Sequence, residues 1–213
     1  MKIVINDIEK KANEVLKLIK YDAEKMLEIN KIKNAVETLS HTNIEAFSFS
    51  FKNELSKNLR KCGAITKLDK SNDKSTYKII LNSDNDMKYQ RFSLAHEFGH
   101  IILNAPNFEN GDFIASFHIN YKVNHISKKA YNLDPSLENE EKANIFALLV
   151  LIPQDSFIDC VIKYDIIKIA EIFGVTVEAV LSRFDLIKRK LSVQNEYWYI
   201  NKWRCKCFIF KNF

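Results

Sequence analysis

Arg91-Phe92-Ser93-Leu94-Ala95-His96-Glu97-Phe98-Gly99-His100-Ile101-Ile102-Leu103 is the stretch on which the reading of this chain turns. His96 and His100 are four residues apart, so on a helix both imidazoles stack on one face, within reach of one ion. Zinc accepts neutral imidazole nitrogen at about 2.0–2.1 Å, and two such ligands supply half of a tetrahedral shell. Glu97 lies about 100° around the helix from His96. It therefore flanks the ion instead of ligating it, placed to take a proton from water there. Phe92, Ala95, Phe98 and Ile102 offer a stripe for the core. Glycine costs about 0.5–1 kcal/mol relative to alanine in a helix interior, so Gly99 predicts close approach of another element beside the metal.

Working outward, Ser83-Asp84-Asn85-Asp86 supplies several N-cap candidates, and Asn104-Ala105-Pro106 stops the helix, which bounds it to about 87–103. Upstream, Ala46-Phe47-Ser48-Phe49-Ser50-Phe51 alternates strictly and predicts a half-buried strand. Residues 64–68 and 76–81 flank a polar stretch and read as a β-hairpin with a long loop. From Asp7 to about Glu37, Ile8, Ala12, Val15, Leu16 and Ile19 recur at helical spacing, which predicts one or two amphipathic helices. Downstream, residues 105–137 lack clear periodicity. A helix is expected from about Leu137 to Leu151, ending near Ile152-Pro153. Two or three short helices fill 155–190, and 197–200 and 207–210 read as terminal strands. Only four glycines and three prolines argue against an all-β protein of many tight turns.

A catalytic zinc takes three protein ligands and keeps one position open. Asp112, His118, His125, Glu138, Glu140 and Glu141 are the downstream candidates for the third. Glu140 shares a helical stripe with Ala143, Asn144, Ala147 and Leu151, whose small members would let this helix lie against the Gly99 region. Glu138 and Glu141 lie on stripes carrying Lys142, Ile145 and Leu148. Spacing favours Glu140 modestly and leaves the others open.

The first stretch, together with Glu140-x-x-Ala143-Asn144-x-Phe146-Ala147-x-Leu149-x-Leu151-x-Pro153, resembles the ImmA/IrrE metallopeptidases, HEXXH relatives of the thermolysin-like zincins. The strand ending in Ile80-Leu81-Asn82 extends the likeness, which covers roughly residues 60–190. It implies an α+β fold: a zincin-like core with a small mixed or antiparallel sheet packed on the His-Glu helix, and a second, ligand-bearing helix. Helix-turn-helix-like helices follow. The resemblance further implies one zinc ion held by His96, His100 and Glu140, with Glu97 as catalytic base. It implies a narrow substrate too, a helix-turn-helix repressor cut to release genes of a mobile element, prophage or stress response. The oxyanion stabiliser stays open among His118, Tyr121, His125 and Tyr131. The expected division is residues 1–153 for the N-terminal helices and peptidase core, and 154–213 for the helix-turn-helix-like helices and terminal strands.

Ala170-x-x-x-Gly174-Val175-Thr176-x-x-x-Val180 has helix-turn-helix spacing. Reading DNA would need exposed side chains on the second helix. That helix offers Glu178, Ser182 and Arg183, then Lys188-Arg189-Lys190, and the acidic charge near its start opposes phosphate. A packing or partner-docking role is favoured over DNA binding. The formal charge of +5 is spread along the chain as lysine, which reads as a solvated surface. No stretch has the length of a signal core or membrane span, and Cys62, Cys160, Cys205 and Cys207 are too irregular for a disulfide framework. A cytoplasmic enzyme without membrane contact is expected. The rival reading is a non-catalytic regulatory module that binds DNA or a repressor and uses its metal for structure.

Overall fold

Alternation on either side of the polar loop builds the sheet. In the computed structural model, which describes residues 5–22, 26–52, 63–69, 75–103, 113–116 and 135–194, strand β2 (Ala64–Asp69) pairs antiparallel with β3 (Thr76–Asn82). Ala64, Thr66 and Leu68 turn inward while Ile65, Lys67 and Asp69 are half-buried. Strand β1 (Asn43–Phe49) lies parallel to β3, and β4 (Phe113–Ser116) lies antiparallel to β2, giving the order β1-β3-β2-β4. The sheet is mixed, as expected. Sequence reading had no strand at β4, whose four residues are too few to set up a period.

The expectation for β1 needs correction. Alternation over residues 46–51 predicts a half-buried strand, but the strand is Asn43–Phe49, Phe47 and Phe49 are 54% and 61% exposed, and Ile44 is its buried residue. An edge strand has a neighbour on one side only, and the buried phenylalanine here is Phe51, just past its end. Phe51 is fixed there by Asp84, whose carboxylate accepts from its amide at 2.9 Å.

Helices α1 (Ile5–Ile19) and α2 (Ile29–Ser40) bury Ile8, Ala12, Val15 and Ile32, Ala35, Val36 respectively. Helix α3 (Met87–Ile102) starts at Asp86, whose side chain accepts from the Tyr89 amide at 2.9 Å. Every residue from Phe92 to Ile102 is buried, so α3 is a central helix and not an amphipathic one. The sheet, α2 and α4 (Pro135–Leu151) enclose it. The contact with α4 is the one Gly99 predicts: a Cβ built on Gly99 would stand 2.9 Å from Ala143 Cα and 3.0 Å from Ala143 O. Gly99→Ala is expected to lower stability by about 1–3 kcal/mol. That loss would outweigh the roughly 1 kcal/mol by which alanine is favoured in an unobstructed helix. Urea unfolding measures it, and a stabilised variant would contradict the close approach.

Helices α5 (Gln154–Lys163), α6 (Ile166–Phe173) and α7 (Val177–Gln194) complete the described chain. Gly174 caps α6 with φ +61°, its amide reaching the Ala170 and Glu171 carbonyls, and Ala170, Val175 and Val180 are buried around the turn. One connected set of buried side chains runs from Ile8 in α1 to Leu186 in α7. Ser182 and Arg183, offered by the sequence as base readers, are only 4% and 1% exposed and belong to the interior. Among the described residues no single helix is long and apolar enough to cross a membrane. The terminal strands and Cys62, Asp112, His118, Tyr121, His125, Tyr131, Cys205 and Cys207 lie outside the described residues.

Candidate metal centre

Helical spacing on α3 and close packing of α4 bring three side chains to one point. His96 Nε2 and His100 Nε2 are 2.9 Å apart, and Glu140 places Oε2 3.2 Å from the first and Oε1 3.1 Å from the second. Among the described residues these three form the one group able to hold a metal, with ligand atoms all within 4.8 Å of one another. Bonds of about 2.0–2.1 Å to a tetrahedral ion put neighbouring ligand atoms roughly 3.3–3.4 Å apart. The histidine pair and the two histidine–carboxylate contacts, one to each Glu140 oxygen, are each within about 0.5 Å of that spacing.

The other acidic candidates on α4 are engaged elsewhere. Glu138 pairs with Lys142 at 2.6 Å and Glu141 with Arg189 at 3.0 Å.

Partners behind the ligands set their chemistry. Asn144, one turn beyond Glu140 on α4, presents Oδ1 2.9 Å from His96 Nδ1. That carbonyl accepts the ring N–H, which leaves the Nε2 lone pair directed at the ligand cluster. Burial by itself would lower the His96 pKa. The hydrogen bond and charge of Glu140, the charge of Glu97 and the contact with Asn144 outweigh it, and the pKa is raised. Burial would likewise raise Glu140, but hydrogen bonds from His100 and His96 dominate and hold its carboxyl far below the usual carboxylate range. Both directions say that positive charge is favoured beside Glu140.

Glu97 is fully buried. Its Oε2 accepts from the Thr66 hydroxyl on β2 at 2.7 Å, while Oε1 has no partner among the described residues, and neither has His100 Nδ1. Buried carboxylate oxygens without a hydrogen bond are costly, on the order of 1–3 kcal/mol or more. Such an atom beside a three-ligand cluster fits a site built to receive a metal and a polar molecule from outside the chain.

Sequence reasoning named all four of these residues but missed the two that orient them. Thr66 was legible: the alternation of Ala64, Thr66 and Leu68 turns a hydroxyl into the core, where it needs a partner. Asn144 carried a similar signal as the lone amide in the apolar run Ala143–Leu151.

No curated protein matches the chain significantly. Residues 43–185, well over half its length, match the model of peptidase family M78, the IrrE N-terminal-like domain, and the chain belongs to that family.

Proposed function

We propose that the protein is a zinc-dependent endopeptidase in which His96, His100 and Glu140 hold one ion and Glu97 is the general base. The observation that carries this reading is the meeting of three ligands with a buried carboxylate whose Oε1 is unpartnered. When bound, the ion would supply Lewis acidity, polarising a peptide carbonyl and making water acidic enough to deprotonate near neutral pH. Glu97 Oε1 accepts the proton of the attacking water and then delivers it to the departing amide nitrogen. Thr66 fixes the other oxygen, so the carboxylate keeps one orientation through both transfers. A structural zinc takes four protein ligands. Among the described residues three converge, with the Glu97 carboxylate beside them, the arrangement a catalytic site uses.

The proposed substrate is a helix-turn-helix transcriptional repressor, and the proposed setting is cytoplasmic derepression of a mobile element, prophage or stress response. Family membership supports this reading. The burial of Ser182 and Arg183 argues against base reading by α7. Incubating the zinc-loaded protein with its candidate helix-turn-helix repressor should give one chelator-sensitive cut, located by mass spectrometry. Repressor inactivation with the polypeptide intact would favour the binding-module reading instead.

Thr66→Val removes one buried hydrogen bond to a charged group, worth about 1.5–3 kcal/mol, so kcat is expected to fall roughly 10–100-fold. KM and zinc content should stay unchanged, and Thr66→Ser should restore the rate. An equal loss in both variants would assign Thr66 a packing role only.

A further inference from the structure

Behind α4, on the side away from the metal ligands, lies a cavity of about 480 Å³ between α1, the start of α5 and α7. Leu149, which lines it, is nine residues past Glu140, about two and a half turns along and so on the other face of the same helix. The volume is within the roughly 300–1,000 Å³ of small-molecule sites.

Arg183 forms part of the lining although it is only 1% exposed. Its Nε donates to the Ile152 carbonyl at 3.0 Å and its guanidinium lies over the Phe157 ring, but one terminal nitrogen, Nη2, has no partner among the described residues. Burial lowers the Arg183 pKa to about 10, against the opposing influence of Glu9. The protein therefore leaves this cation short of the negative partners its burial calls for.

The first turn of α5 supplies more donors to the same space. Gln154, Asp155 and Ser156 line the cavity, and the helix begins at Pro153 with no capping side chain. First-turn amides have no acceptor within their own helix, and they face an anion with the helix dipole behind them. Tyr21 also lines the cavity, donating its hydroxyl to Ser156 Oγ at 3.1 Å.

Two carboxylates, Glu9 and Asp155, border the same volume. A phosphate would meet both of them against a single guanidinium. A molecule carrying one carboxylate and one ammonium meets the guanidinium with its anion and the two carboxylates with its cation. We infer that this cavity binds a small zwitterion of the free amino acid class, with its carboxylate on Arg183 and the first-turn amides of α5. Its ammonium lies against Glu9 and Asp155, and Leu16 and Leu149 bound the space left for a side chain. Neither Glu97 nor the metal ligands take part, so the site stands or falls apart from the peptidase reading.

The test is calorimetry on the full-length, zinc-loaded protein with each of the twenty common L-amino acids in turn. At least one should bind saturably. Its N-acetyl and its carboxamide derivatives should each bind roughly 10–100-fold more weakly, the loss expected for one charge-assisted contact. Glu9→Gln, on the partly exposed wall, should weaken binding by a similar factor without unfolding the protein, whereas Arg183 variants endanger the interior. Absence of binding by all twenty would overturn the inference. So would inorganic phosphate or the N-acetyl compound binding as tightly as the amino acid, or unchanged binding by Glu9→Gln.

Discussion

Glu97→Gln is expected to cut peptide hydrolysis by about 10²–10⁴-fold, the usual contribution of a positioned general base, with zinc content and folding retained. The substitution is close to isosteric. The amide oxygen can accept from the Thr66 hydroxyl as Oε2 does now, at 2.7 Å. The amide nitrogen then takes the place of the unpartnered Oε1, where it cannot receive a proton. Stability should hold or rise, because a fully buried carboxylate oxygen without a partner opposes folding. A more stable and less active variant is the pattern expected where a site sacrifices stability for function. Three measurements decide the matter together: kcat/KM, metal content by mass spectrometry, and the urea midpoint. Wild-type cleavage by the variant would remove Glu97 from the mechanism. Loss of zinc alongside activity would instead give the residue a role in holding the ion.

Legibility in the sequence followed the range of the interactions involved. Helix α3 was readable within a residue at either end, since its signals are local: an aspartate cap at Asp86, apolar packing residues and a proline beyond. The antiparallel pairing of β2 with β3 was readable for the same reason, two short alternating runs around a polar loop. Gly99 permitted a longer inference, because a glycine tolerated inside a buried helix implies a neighbour, and Ala143 is that neighbour. Pairing of β1 with β3 leaves no local trace, and Phe47 and Phe49 show that alternation specifies two faces without specifying which is covered. The full burial of α3 was illegible too, since Ser93, Glu97 and the histidines read as polar positions. Glu97 and His96 are satisfied by partners from β2 and α4, distant in sequence, while Ser93 donates to the Tyr89 carbonyl within α3. Arg183 is the extreme case: an arginine on a polar stretch of helix reads as surface, and the Ile152 carbonyl and Phe157 ring that receive it come from elsewhere in the chain.

Glu140→Ala should abolish tight zinc binding, with a larger loss than the 10–100-fold expected when an outer partner such as Asn144 is changed to alanine. Glu140 touches both histidines, at 3.2 and 3.1 Å, and supplies the anionic charge that makes a cation favourable there. Without it, two imidazole nitrogens 2.9 Å apart remain, too few ligands for a catalytic zinc. The two variants differ in kind. Asn144→Ala keeps all three ligands and loses the acceptor that orients the His96 ring, whereas Glu140→Ala opens the shell itself. Zinc linked to the native state raises stability by about 2.7 kcal/mol when the free ion is at a hundred times its Kd. Thermal unfolding with and without added zinc should therefore shift for the wild type, shift less for Asn144→Ala, and not shift for Glu140→Ala. Competition with a chelator gives the affinities directly. Full zinc retention by Glu140→Ala would put the third ligand elsewhere, and Asp112, His118 and His125 would be the side chains to replace next.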